Sequence, residues 1–135
     1  MRRRNRKQEE RVHTRICNYL RVKYPYVFFH SDSSGVKLTM GQAVALKALR
    51  TNSFKIPDLF IAEPNGGYHG LYIEIKKDRS EAYTKTHKLR QTEHIQAQWK
   101  SLQYLKGKGY YATFGLGYDS TIKLIDAYMA GELKH

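Results

Sequence analysis

Ile56-Pro57-Asp58-Leu59-Phe60-Ile61-Ala62-Glu63-Pro64-Asn65-Gly66-Gly67-Tyr68-His69-Gly70-Leu71-Tyr72-Ile73-Glu74-Ile75-Lys76 decides how the rest of the chain is read. Asp58 to Ala62 is a strand candidate, with Pro57 at its start, where a missing N–H is tolerated. Asn65-Gly66-Gly67 is a tight-turn signal, because hairpin turns favour residues that accept positive φ. Gly70 to Lys76 is the return strand, so residues 58–76 read as a β-hairpin. The Gly66, Gly67 and Gly70 cluster belongs to that turn rather than to a phosphate cradle, since no helix follows it. Alternate side chains of a strand share a face. Leu71, Ile73 and Ile75 form a wholly apolar face directed at helices, and Tyr72, Glu74 and Lys76 occupy the other. With Asp58 across the hairpin, two carboxylates and one ammonium converge.

Upstream, Val12, Ile16, Tyr19 and Leu20 follow helical spacing from Glu9 to about Val22. Pro25 ends that segment, and Tyr26 to Phe29 reads as a short buried strand. Ser31 to Gly35 is a loop, and Gly41 to Leu49 a shorter helix with Ala43, Ala45, Leu46 and Leu49 on its apolar side. Downstream, residues 77–91 are polar and basic and read as a loop, or as a flap over a bound strand. Thr92 to Lys106 is a long amphipathic helix, and Tyr110 to Phe114 a strand broken by Gly115 and Gly117. A last helix follows, capped by Asp119 or Ser120, with Ile122, Ile125, Tyr128 and Met129 on its apolar face. The order αβαββαβα implies an α/β domain, a mixed sheet flanked by helices, with a right-handed final crossover.

The chain has 135 residues, 41% of them apolar, which is a single-domain length with enough apolar residues for a core. Residues 1–8 are set apart as a basic flexible arm and 9–135 as one domain. Lys and Arg number 24 against 12 acids, a net charge of +12, which points to a polyanionic partner. No apolar run is long enough for a membrane span, and no apolar stretch follows the N-terminal arginines as a secretory signal requires. The single Cys17 excludes an internal disulfide and multi-cysteine zinc sites, and fits a reducing cytoplasm. The six histidines show no zinc spacing.

Paired carboxylates can hold a hard cation such as Mg²⁺ together with waters and a substrate phosphate. Such an ion activates water against a phosphodiester, and Lys76 can act beside it as a point charge. Read with the basic composition, the residues point to a metal-dependent nuclease. Two helical residues add to the constellation. Gln98 lies three residues after Ile95 and four before Leu102, on the core stripe, where a buried amide needs partners. Gln96 lies off that stripe. Glu9 shares a helix face with Val12 and Ile16 and can reach the sheet as a third carboxylate; a helix-N-terminal acid is the alternative reading, as it is for Glu10. Phosphate contacts are expected from Arg2, Arg3, Arg4, Arg6 and Lys7 in the arm, and from Lys77, Arg79, Lys85, Lys88 and Arg90 in the basic loop.

These residues resemble the VRR-NUC domain, the virus-type replication-repair nuclease branch of the PD-(D/E)xK superfamily, over about Glu9 to Tyr128. The carriers are Tyr24-Pro25, Ile56 to Ile61, Gly67 to Lys76, Gln98 and Gly109-Tyr110-Tyr111. The single-domain length looks like the stand-alone versions of bacteriophages and prophages. The resemblance implies a restriction-endonuclease-like fold and Mg²⁺- or Mn²⁺-dependent DNA hydrolysis. Asp58 and Glu74 would be metal ligands, with the Ile75 carbonyl as a backbone ligand and Glu9 as the first-helix glutamate. Lys76 would be the catalytic lysine and Gln98 the helix glutamine of the site. It also implies a homodimer acting on branched DNA such as four-way junctions, in a bacterial host cytoplasm if phage-encoded. Phe54, Lys55 and Ile56 replace a glycine that many members carry shortly before the Pro-Asp. A non-catalytic nucleic-acid-binding module on the same fold is the competing reading.

Overall fold

The computed structural model describes residues 2–32 and 38–135, with side chains in the first helix from Lys7 onward. Among the described residues four α-helices and four strands follow in the order α1 (Arg2–Lys23), β1 (Phe29–Ser31), α2 (Met40–Lys47), β2 (Leu59–Ile61), β3 (Leu71–Lys76), α3 (Glu93–Gly107), β4 (Tyr111–Leu116) and α4 (Tyr118–Met129). The order matches the αβαββαβα expectation. One sheet runs β1-β2-β3-β4, antiparallel at the first two pairings and parallel between β3 and β4. Asn65 and Tyr68 bond to each other across the hairpin turn, with Gly66 at φ 60° and Gly67 at φ 90° between them. Positive φ at both central positions is the backbone that glycine supplies without steric penalty.

The period-2 pattern of β3 divides the core. Leu71, Ile73 and Ile75 pack with Ile16 and Leu20 of α1 and Ile125 and Tyr128 of α4. On the opposite face, Ile95 and Leu102 of α3 meet Ala112 and Phe114 of β4, with Ala82 from the basic loop. Helices therefore cover both faces of a mixed sheet. No helix among the described residues is long and apolar enough to cross a membrane.

Several boundaries differ from the sequence expectation. α1 begins at Arg2, where the sequence reading started the helix at Glu9. The first strand starts at Phe29 rather than Tyr26. The Val27 N–H donates to the Tyr24 carbonyl at 3.1 Å, which makes a turn of the aromatic run and leaves Tyr26 and Phe28 exposed. Ser33 to Gly35 of the expected loop lie outside the described residues. α2 has the Thr39/Gln42 capping box but buries none of its residues, so its apolar side does not face the core. Residues 77–91 hold a 3₁₀ turn (Arg79–Glu81) and a bridge between Tyr83 and Leu89, and Ala82 anchors them in the core. The cap of α4 is Gly117, with no side-chain hydrogen bond, in place of Asp119 or Ser120.

Candidate functional site

Leu59 pairs with Ile73 across the hairpin, so Asp58, one residue earlier, stands level with Glu74. Direct partners in an antiparallel pair share a face. Asp58 Oδ2 accepts a 2.8 Å hydrogen bond from the Ile75 N–H, which fixes the carboxylate against β3. Both acids are buried, and Lys76 is 3% exposed beside them. α3 brings Gln98 over this face, where its Nε2 donates to Glu74 Oε1 at 3.0 Å. α1 brings Glu9, whose Oε1 lies 3.9 Å from Lys76 Nζ. These groups line one cavity of about 120 Å³, together with His13, His94 and Ile75.

The two glutamines and the two glutamates lie in different places. Gln98 faces the cavity, whereas Gln96 donates to the Arg90 carbonyl at 2.9 Å and ties the basic loop to α3. Glu9 lines the cavity and Glu10 does not. The expected phosphate contacts divide differently. Lys7, Arg79, Lys85 and Lys88 are exposed, and Lys77 is partly buried. Arg90 donates to the Ser80 carbonyl at 2.6 Å, and Arg79 lies over the Tyr83 ring, so both also hold their loop together. The side chains of Arg2, Arg3, Arg4 and Arg6 lie outside the described residues.

Two cavity residues escaped the sequence reading. His13 follows Glu9 by four residues and His94 precedes Gln98 by four, so helical phase could have found both. His13 Nε2 bonds the Ser31 hydroxyl. His94 Nε2 lies 3.0 Å from Gln98 Nε2 and must be its unprotonated acceptor. The Gln98 amide thus directs its two hydrogens at Glu74 and His94, and its Oε1 is buried without a partner. Burial lowers the pKa of both imidazoles; the Asp58 and Asp32 charges oppose this at His13, whereas the Lys76 and Lys55 ammoniums reinforce it at His94.

Glu74 and Glu9 are held towards their neutral forms. Burial raises the Glu74 pKa well above the usual value, and the charge and hydrogen bond of Asp58 add to it against Lys76. Glu9 is pushed up to about 8, first by burial and then by a hydrogen bond and charge from Glu81 of the 3₁₀ turn. At 3.9 Å from Glu9, Lys76 is too far for a direct hydrogen bond, and burial with Glu81 outweighs its attraction. Glu81 therefore enters the site's electrostatics from a loop read as polar and basic. Among the described residues, no group of three or more His, Cys, Asp or Glu side chains is arranged to hold a metal ion.

A pH effect on stability follows. The folded Glu9 carboxyl keeps its proton up to about pH 8, whereas the unfolded one loses it near 4.5. The native state binds more protons in that window, so stability falls as pH rises through it. The histidines act oppositely, losing stability as pH falls below about 6.5. Between pH 7 and 8 the carboxyl effect stands apart, and the melting temperature is expected to fall. Glu9→Gln is expected to flatten the slope in calorimetry, by well under ~1 kcal/mol per pH unit because solvent screens the partly exposed carboxyl. An unchanged slope would mean that Glu9 is already ionised at pH 7.

A mixed sheet between helices, with Pro57-Asp58 on one strand approach and Glu74-Ile75-Lys76 on the next strand, is consistent with a PD-(D/E)xK-like nuclease fold. Among solved structures, this chain is similar to one described as a VRR_NUC domain protein, with a TM-score of 0.65 and 26% sequence identity. The match covers 92% of this chain and 89% of that one. It supports placement at the level of the family and a general nuclease-like function. No protein-family model matches the chain, and no curated protein does.

Proposed function

We propose that this protein is a metal-dependent DNA endonuclease acting on branched DNA such as flaps and four-way junctions. The supporting observation is the convergence of Asp58, Glu74 and Lys76, from two adjoining strand segments, in one cavity with Gln98 and Glu9. In this reading Asp58, Glu74, the Ile75 carbonyl and Glu9 hold Mg²⁺ or Mn²⁺.

The donor set fits such an ion in two respects. Carboxylate and carbonyl oxygens are the ligands that hard cations prefer, and Mg²⁺ uses few of them from protein. The buried, unpartnered Oε1 of Gln98 shows that the cavity is polar and incomplete in hydrogen bonding. When bound, the ion would supply Lewis-acid polarisation of phosphate and an activated water. The protein's own groups do the rest. Lys76 places a fixed positive charge beside developing phosphoryl charge in a water-poor pocket. The Ile75 N–H orients Asp58, and the Gln98 amide orients Glu74. A cooperating second copy belongs to this reading, and at +12 per chain its interface must be apolar or bridged by DNA.

Labelled duplex, flap and four-way-junction DNA incubated with Mg²⁺, Mn²⁺ or EDTA provides the test. Cleavage is expected with either ion, strongest on branched DNA, and none with EDTA. Asp58→Ala is expected to abolish the products. Wild-type protein that cuts nothing, or an Asp58→Ala protein that cuts undiminished, rules the reading out. Salt-sensitive binding without products would instead favour the non-catalytic module, which the lack of a three-ligand cluster among the described residues makes worth scoring.

A further inference from the structure

A second cavity, of about 490 Å³, lies between α2 with its following loop on one side and α3 on the other. Lys47, Arg50, Lys55 and Lys100 line it, and among the described residues no Asp or Glu does. Arg50 pairs with Asp32. The groove adjoins the candidate site on both walls. Ile56 and Ala97 line it, two residues before Asp58 and one before Gln98.

Along the groove and beyond it, two aromatic rings and two lysines are stacked. The Phe54 and Tyr104 centroids are 4.4 Å apart with planes at 34°. Lys100 Nζ lies 5.6 Å from the Phe54 centroid, and Lys108 Nζ 5.4 Å from that of Tyr104. Lys100 and Tyr104 stand four residues apart on one face of α3, and Lys108 follows four residues later as its C-cap. Tyr104 is 47% exposed, and neither ring belongs to the two core clusters. Core packing therefore does not account for them. α2 likewise buries no residue of its own.

The exposed Tyr104 ring and the half-buried Phe54 ring, interleaved with ammonium groups beside a groove lined by no acid among the described residues, match unpaired nucleotides. Each base has a π-face for a ring, and each phosphate a charge for a lysine. An acidic peptide would satisfy the lysines and leave the rings unmatched. Duplex DNA would offer phosphates but keep its bases stacked. A base on Tyr104 would displace Lys108 from the ring, and base stacking is a stronger contact than an exposed ammonium over a phenol.

We propose that this groove is the track of an unpaired DNA strand leaving the candidate site, with Phe54 and Tyr104 as its stacking platform and Lys47, Lys55, Lys100 and Lys108 as its phosphate contacts. The choice of DNA rests on the nuclease reading above, but the binding measurement does not. None of these six residues was among the nucleic-acid contacts expected from sequence.

Fluorescence anisotropy of a labelled oligothymidylate in EDTA reads the track without chemistry. Wild-type protein is expected to bind. Phe54→Ala and Tyr104→Ala are each expected to weaken binding by about five-fold or more, and Tyr104→Phe to retain it. Lys100→Gln and Lys108→Gln are each expected to lower the slope of log affinity against log salt by roughly 0.7. No binding by the wild type, or alanine variants that bind like it, overturns the proposal, as does preference for an acidic peptide over the oligonucleotide. Melting curves check each variant, and Tyr104→Phe with the lysine series keeps the test decisive if an alanine variant unfolds. Cleavage of the duplex, flap and junction substrates with Mg²⁺ is scored separately: its absence on all three removes the nuclease reading and leaves the binding result to stand.

Discussion

Replacing Lys76 by methionine is expected to lower divalent-ion-dependent DNA hydrolysis by about 10²–10³-fold, while the protein remains folded and still binds DNA. Methionine keeps most of the unbranched stem and deletes the charge, which separates electrostatics from packing. The side chain is 3% exposed and sits among Asp58, Glu74 and Glu9, so its ammonium acts where water screens little. Its loss leaves the acids less compensated. Both Glu74 and Glu9 have pKa values that Lys76 pulls down, so both take up protons more readily in the variant. That uptake limits the cost to stability, because a buried acid can become neutral rather than unfold the chain. A fixed ammonium also competes with any divalent ion for the same carboxylates. Calorimetric Mn²⁺ affinity of Lys76→Met is therefore expected to hold or rise as turnover collapses. A purely structural lysine would give the opposite pair of results, a lower melting temperature and weaker Mn²⁺ binding. Cleavage within a few-fold of wild type would exclude Lys76 from the chemistry.

The parts of this site legible in the sequence are those governed by short-range geometry. The turn at Asn65-Gly66-Gly67 fixes the hairpin register, and strand alternation then sets Glu74 and Lys76 on one face. Helical phase placed Gln98 among the buried positions Ile95 and Leu102, and Glu9 on the face of Ile16. What escaped depends on how distant segments meet. Glu81 reaches Glu9 because a loop that reads as solvated is pinned by Ala82 in the second core cluster. No local pattern reveals that anchor. The first strand slipped by three residues because a Tyr24–Val27 turn took precedence over the β-propensity of the aromatic run. α2 was given an apolar side, but amphipathic spacing does not say whether anything packs there, and the helix buries none of its residues. The same gap hid the α2–α3 groove, whose walls are brought together only by the tertiary fold.

Truncating Ile73 to alanine is expected to destabilise the protein by about 2–5 kcal/mol. Ile73 is fully buried at the centre of β3, between Leu59 on β2 and Thr113 on β4, within the cluster that joins both outer helices to the sheet. Neighbours on two strands and two helices cannot all relax into the vacated volume, so a cavity term adds to the transfer term. For a domain of this size, chemical denaturation should register a clear fall in midpoint. Gly115 tests the same contact from the other side. A methyl built there would lie 2.8 Å from Ile73 Cγ2 and 2.5 Å from Thr121 Oγ1, both closer than real contacts allow. Thr121 is not free to retreat, since it is fully buried and its hydroxyl donates to the Gly117 carbonyl at 2.6 Å. Gly115→Ala is accordingly expected to cost about 1–3 kcal/mol by overpacking. The two changes are coupled, because removing Ile73 Cγ2 relieves one of the two clashes. The double variant should therefore lose less than the sum of the singles, by at least ~0.5 kcal/mol. Strict additivity would show that β4 and α4 move apart to admit the methyl, so that Gly115 does not set the spacing between the sheet and α4.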